Sequence, residues 1–175
     1  MTDNQLINLN QSYFTDQIIT YLGNKRKLLS HINLAIEEIK LNLNKNYINS
    51  FDGFSGSGVI SRLLKLHSNK LIVNDLEYYC YVINKCYLSN LDATQINEIK
   101  DKIDYLNSER KNYNKKGFIE KLYCSENDNN IQVGERLFFT NENGKIIDYL
   151  RSLIKDDDYY SLSSLLYKVS VHNNT

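Results

Sequence analysis

A chain of 175 residues is long enough for one domain with a hydrophobic core, or for one domain with an appendage, and 42% apolar with 24% charged residues is an ordinary globular composition. Basic and acidic residues balance at 21 each, which excludes the strongly basic character of a free-standing nucleic-acid binder. No window approaches the length of apolar run that a membrane span needs, and the chain holds no proline, which excludes every motif built on that residue.

The opening MTDNQLINLNQS has neither a basic start nor an apolar run, so no secretory leader is expected and a cytoplasmic protein is the default. Residues 26–43 carry Leu28, Leu29, Ile32, Ala35, Ile36, Ile39 and Leu43 at helical spacing. Tyr47 to Asp52 reads as a short strand feeding a glycine-rich turn, Gly53 to Gly58. Val59–His67 then resumes as a helix with Ile60, Leu63, Leu64 and Leu66 apolar. Leu71-Ile72-Val73 is a compact apolar run, expected as a buried parallel strand that ends at Asn74-Asp75. Glu77–Ser89 reads as a tyrosine-rich helix. Strand, glycine turn, helix, strand, acidic tip and helix are the start of a doubly wound α/β sheet.

Beyond residue 92 the pattern changes. Ile96, Ile99, Ile103 and Leu106 mark a charged amphipathic helix, and a polar stretch from Asn112 to Gly134 reads as loop. Helical patterns follow over Gly144–Ile154 and Tyr159–Val171, with no further buried-strand run. The expected division is therefore an α/β part over residues 15–92 and a mainly helical part over 93–175. Three cysteines, Cys80, Cys86 and Cys124, lack paired C-x-x-C spacing and are expected as reduced thiols. His31, His67 and His172 are scattered, so no metal site is expected. Asp156-Asp157-Asp158 reads as a solvated turn, the tyrosines Tyr78, Tyr79, Tyr81 and Tyr87 as half-buried packing, and the basic excess within Lys100–Lys121 as an amphipathic helix face or a phosphate-tracking one.

The chemistry concentrates in FDGFSGSG, residues 51–58. A turn leaving a strand and entering a helix must bend sharply and let a ligand approach its backbone, and glycine allows both. An acid at the tip of the next strand would bind ribose hydroxyls, and Asp75 lies 19 residues after Gly56. The glycines at 53, 56 and 58 match neither G-x-G-x-x-G nor a Walker loop, so a nucleoside lacking pyrophosphate fits better. Asp52 points the same way, since a carboxylate repels phosphate but pairs with an ammonium group. The plain alternative is a tight loop beside an acid that caps a helix. YLGNKRKLL, residues 21–29, places Lys25, Arg26 and Lys27 ahead of an apolar helix, against its dipole; either a solvated helix start or an anionic partner accounts for them.

YLGNK, then F-D-x-F-x-G-S-G, then N-D-x-E-x-Y is similar to the adenine-specific DNA methyltransferases whose motifs run in the order cofactor binding, target recognition, catalysis. That resemblance implies S-adenosylmethionine as cofactor and duplex DNA as partner. It implies cofactor contacts at Tyr21, Gly23 and Lys25, at Asp52, Phe54, Gly56, Ser57 and Gly58 of the glycine loop, and at Asn74 and Asp75. ERLFFTNENGKIIDYLR (135–151) and KVSVHNNT (168–175) resemble the helical recognition region of such enzymes, where Asn173 and Asn174 could read base edges. The departure is the Asp/Asn-Pro-Pro-Tyr/Phe tetrad, which orients the adenine amine and stacks the flipped base and is absent from a chain without proline. This chain alone is therefore expected to be catalytically silent, either truncated or completed by a second polypeptide. A doubly wound sheet cut this short would expose an edge and a face, so self-association or marginal stability is expected. Two other readings stand beside this one. One is a non-catalytic module that binds S-adenosylmethionine or docks a restriction-system subunit. The other is a nucleotide-dependent oxidoreductase.

Overall fold

The computed structural model describes residues 11–16, 18–19, 23, 25–113 and 117–171. The chain divides between Ser89 and Asn90 into two compact units.

In the first unit a short helix α1 (Gln11–Thr15) precedes a 3-10 turn (Arg26–Leu28) that runs straight into α2 (Leu29–Asn42). Strand β1 (Ile48–Asp52), helix α3 (Val59–His67), strand β2 (Ser68–Val73) and helix α4 (Tyr78–Leu88) follow. β1 and β2 pair in parallel with Ser50 beside Leu71, Phe51 beside Ile72 and Asp52 beside Val73. The crossover is abrupt because Ser68 stops α3 and starts β2 at once: its hydroxyl donates to the Leu64 carbonyl and accepts from Ser50 Oγ, both at 2.7 Å. α3 lies across both strands and is the unit's central element. Val59 and Leu63 of α3 are buried with Cys80, Val82 and Ile83 of α4, Ile36 of α2 and Phe14 of α1.

The most unusual core residue is Arg62, 0% exposed. Its guanidinium lies 4.1 Å from the Tyr87 ring centroid and 5.6 Å from that of Tyr13, and Nη1 donates to the carbonyls of Tyr13 and of Asp16, the latter at 2.9 Å. Tyr13 in turn donates to the Tyr87 carbonyl at 2.9 Å. A long cation against two aromatic rings, with two carbonyls at its tip, ties α1 to α3 and α4.

The parallel pairing agrees with the sequence reading, but the burial expected of β2 does not. Burial alternates along β1 and, from Lys70 on, along β2, leaving Phe51 67% and Ile72 50% exposed. One face is covered and its opposite is open, so a run that reads as two-sided core serves here on one side only. Similarly, of the apolar residues marking 26–43, Ile36 alone is fully buried, while Leu28, Ile39 and Leu43 are exposed. The tyrosines of α4 also divide: Tyr87 is half-buried, whereas Tyr78 and Tyr81 are exposed and stack on each other at 5.9 Å.

The second unit is helical: α5 (Ala93–Glu109), α6 (Phe118–Tyr123), α7 (Asn141–Leu153) and α8 (Tyr159–Val171). α5 begins on a reciprocal cap in which Asp92 Oδ1 accepts from the Gln95 amide at 2.9 Å and Gln95 Oε1 accepts from the Asp92 amide at 3.1 Å. α8 begins where Asp158, last of the aspartate run, accepts from the Ser161 amide at 3.0 Å, as suits a solvated turn. Among the described residues the unit's one strand-like pairing is an isolated bridge between Cys124 and Phe139.

α6 falls inside the stretch expected to be loop. It has no local N-cap. Instead both oxygens of Asp148, on α7, accept from the amides of Ile119 (3.0 Å) and Glu120 (2.9 Å). A cap supplied from 28 and 29 positions away leaves no local trace in sequence. The α6–α7 contact is close enough that a Cβ on Gly144 would come inside 3.0 Å of Cys124 Sγ and to 3.0 Å of Glu120 Cα. All three cysteines are free thiols, and burial pushes Cys80 and Cys124 up to about 11. Among the described residues no helix is long and apolar enough to cross a membrane, and no group of three or more His, Cys, Asp or Glu could hold a metal.

Candidate functional site

The two parallel strands end side by side, and backbone hydrogen bonds continue past the sheet. The Asn74 amide donates to the Asp52 carbonyl at 2.8 Å, and the Ser55 amide to the Asn74 carbonyl at 3.1 Å. This zip draws the glycine loop, residues 53–58, over the end of β2. Asn74 Nδ2 adds a bond to the Gly53 carbonyl at 3.2 Å, and the Gly58 amide closes the turn on the Ser55 carbonyl at 2.9 Å. Gly56 and Gly58 hold φ of 52° and 76°, the left-handed region that other residues enter at a cost. Gly58 is also the last residue before α3, so the helix N-terminus opens directly off the loop.

Between these strand tips and α2 lies an open cleft of about 590 Å³, a volume suited to a nucleoside-sized ligand. Its wall includes Gly23 and Lys25 from the segment before α2, Asp52 from β1, Phe54, Gly56 and Ser57 from the loop, and Asp75 with Leu76 beyond β2. Ile32, Val59, Ile60 and Leu64 supply its apolar floor. Phe54 and Leu76 are 89% and 94% exposed, two apolar side chains standing free at the mouth.

Both acids are held by polar partners. Ser61, buried on the first turn of α3, donates its hydroxyl to Asp52 Oδ2 at 2.6 Å. Asp75 Oδ2 accepts from the Gly56 amide at 2.7 Å and Oδ1 from the Glu77 amide at 3.1 Å. Partial burial works to raise the Asp75 carboxyl, but the backbone donors of Glu77 and Gly56 outweigh it and hold it below the usual aspartate range. Asp75 thus joins the second strand tip to the glycine loop, a structural duty beyond helix capping.

Of the residues marked from sequence, Gly23, Lys25, Asp52, Phe54, Gly56, Ser57 and Asp75 share this cleft. Asn74 and Gly58 brace the loop and lie outside its wall. Tyr21, Asn173 and Asn174 lie outside the described residues. Two residues unmarked by sequence shape the site: Ser61, and Asn84 of α4, buried beneath the loop with Nδ2 donating to Ser55 Oγ at 3.0 Å and the Gly56 carbonyl at 3.3 Å. The signal was present, since Asn84 occupies the buried stripe of α4 with Cys80 and Ile83, where an amide needs partners.

Comparison with known proteins gives the family. Residues 21–175 match the profile of the D12 class N6 adenine-specific DNA methyltransferases. The chain is 28% identical over 158 residues to the type II methyltransferase M.NlaIII of Neisseria lactamica, covering 85% of this chain and 44% of that protein. It is 30% identical over 168 residues to the type II methyltransferase M.CviAII of Paramecium bursaria Chlorella virus 1, covering 90% and 47%. Against the type II methyltransferase M.FokI of Planomicrobium okeanokoites the figures are 28% over 136 residues, 75% and 20%. The chain therefore spans less than half the length of these curated relatives, and no solved structure matches it. With a glycine loop and two strand-tip acids around one cleft, and a profile match running from residue 21 to residue 175, the chain belongs to the D12 class of N6 adenine-specific DNA methyltransferases.

Proposed function

We propose that this chain supplies the S-adenosylmethionine site and part of the target-recognition surface of a type II DNA adenine methyltransferase. The carrying observation is that Lys25, Asp52 and Asp75 line one cleft with the glycine loop. The donor set suits the ligand group by group. Asp52 pairs with the ammonium of the methionine moiety, Lys25 with its carboxylate, and Asp75 accepts from the ribose hydroxyls on the lone pairs its backbone donors leave. Gly56 and Ser57 let the methionine part approach the backbone, Gly58 shapes that approach from behind, and Asn74 steadies the loop. Phe54 and Leu76 cover the adenine ring, and Tyr21 is a further cofactor contact on the strength of the family resemblance alone.

When bound, the cofactor supplies a methyl group on a cationic sulfur. This chain's own residues bind and orient it and exclude water from one side. Accepting the hydrogens of a flipped adenine is the work of the proline-containing tetrad, and with no proline among 175 residues that step needs groups from outside them. On this reading residues 15–92 hold the cofactor, residues 93–175 contribute to reading duplex DNA with Asn173 and Asn174 among the base-edge candidates, and a second polypeptide or further chain completes catalysis in the cytoplasm.

Isothermal titration of the 175-residue chain with S-adenosylmethionine tests the proposal, with NAD as the competing nucleotide. Saturable binding that NAD does not displace, together with no methyl transfer to adenine in duplex DNA by this chain alone, is the expected result. Absence of binding, or displacement by NAD, refutes it.

A further inference from the structure

We infer that Asn84 is a positioning residue for the cofactor loop, fixing the Ser55 side chain and the peptide that follows Gly56 before any ligand arrives; its link to cofactor affinity rests on the S-adenosylmethionine reading above. Gly56 is gripped from both sides. Its amide donates to Asp75 Oδ2 at 2.7 Å, and its carbonyl accepts from Asn84 Nδ2 at 3.3 Å. The same Nδ2 donates to Ser55 Oγ at 3.0 Å and to the Cys80 carbonyl, on its own helix, at 2.9 Å.

These acceptors decide which way the amide faces. Two of the three are carbonyls and can only accept, so a flipped amide would set its oxygen against both. The other end, Oδ1, lies against Gly58, where an added Cβ would come inside 3.0 Å. Asn84 therefore specifies the loop twice, by hydrogen bonds at residues 55 and 56 and by shape at residue 58. It is 5% exposed. A loop held at φ 52° and 76° gains affinity from such preorganisation, because the ligand need not order it.

Asn84→Asp is the diagnostic change, nearly the same shape but with an oxygen facing the Gly56 and Cys80 carbonyls. In the ligand-free 175-residue chain, we expect the Gly56 and Ser57 amide resonances to shift or broaden while resonances of α7 and α8 stay in place. S-adenosylmethionine affinity should fall about tenfold or more, the scale of one lost hydrogen bond. Asn84→Ala, which removes the donor without adding repulsion, should show the same signature to a smaller degree and serves if the aspartate variant does not fold. Unmoved Gly56 and Ser57 resonances overturn the inference whatever the ligand does. Cofactor affinity within about twofold of wild type in both variants overturns its functional part. If the wild-type chain binds no S-adenosylmethionine, the function proposed above fails, and the ligand-free spectra still decide the role of Asn84.

Discussion

Replacing Gly58 with alanine adds one methyl group at the point where the cofactor loop enters α3, and the structure gives that methyl nowhere to go. The residue sits at φ 76°, where a side chain costs about 1–2 kcal/mol. Its Cβ would also fall inside 3.0 Å of Asn84 Oδ1 and 3.2 Å from Asn84 Cγ. Asn84 is buried and bonded to Ser55, Gly56 and Cys80, so it cannot swing aside without giving those bonds up, and overpacking of this kind costs about 1–3 kcal/mol. The sum, about 2–5 kcal/mol, should lower the melting temperature of the 89-residue first unit by about 10–40 °C. Differential scanning calorimetry measures this, and repeating the change in an Asn84→Ala background separates its two parts. Backbone strain persists there while the collision disappears, so the penalty for Gly58→Ala should shrink by about 1 kcal/mol or more. A melting shift below about 5 °C, or equal penalties in both backgrounds, refutes the packing argument.

Three further outcomes follow from the same geometry. Gly144→Ala should destabilise the second unit by about 1–3 kcal/mol despite alanine's better helix propensity, because its Cβ meets Cys124 Sγ and the Glu120 backbone; adding Cys124→Ala should recover part of the loss in a denaturant titration, and no recovery would locate the clash elsewhere. Asp75 is held below its ordinary range in the folded chain, so the stability it contributes is present above its unfolded value near 3.8 and is lost as acid brings pH down through the depressed folded value. Asp75→Asn should therefore flatten the stability profile below about pH 4, as read by urea midpoints at stepped pH, and an unchanged slope would count against the Gly56 bond. His67 is buried between Asn33 at 2.8 Å, Lys40 and Glu37, and burial followed by the Lys40 charge lowers its pKa while Glu37 opposes. The folded state thus resists protonation, and stability should fall as pH drops through the unfolded value near 6.5. His67→Gln should remove that dependence between about pH 7 and 5, which the same urea series checks.

Much of the site could be read along the chain because its parts are local. The glycines at 56 and 58 bend a turn between a strand and a helix, Asp52 ends β1 and Asp75 follows two residues past β2, so spacing alone placed both acids at neighbouring tips. Helices α3 and α8 begin and end where their apolar periodicity does, since that periodicity is the force that forms them. What needed the third dimension was every partnership across sequence: Asp148 capping α6 from another helix, Asn84 holding the cofactor loop from beneath, and Arg62 buried against the rings of Tyr13 and Tyr87. Tertiary structure also decided burial, leaving Phe51 and Ile72 on an open sheet face although their composition reads as core. Periodicity reports which face of an element is apolar. Whether something covers that face, and which distant donor meets which acceptor, depends on where the rest of the chain lies.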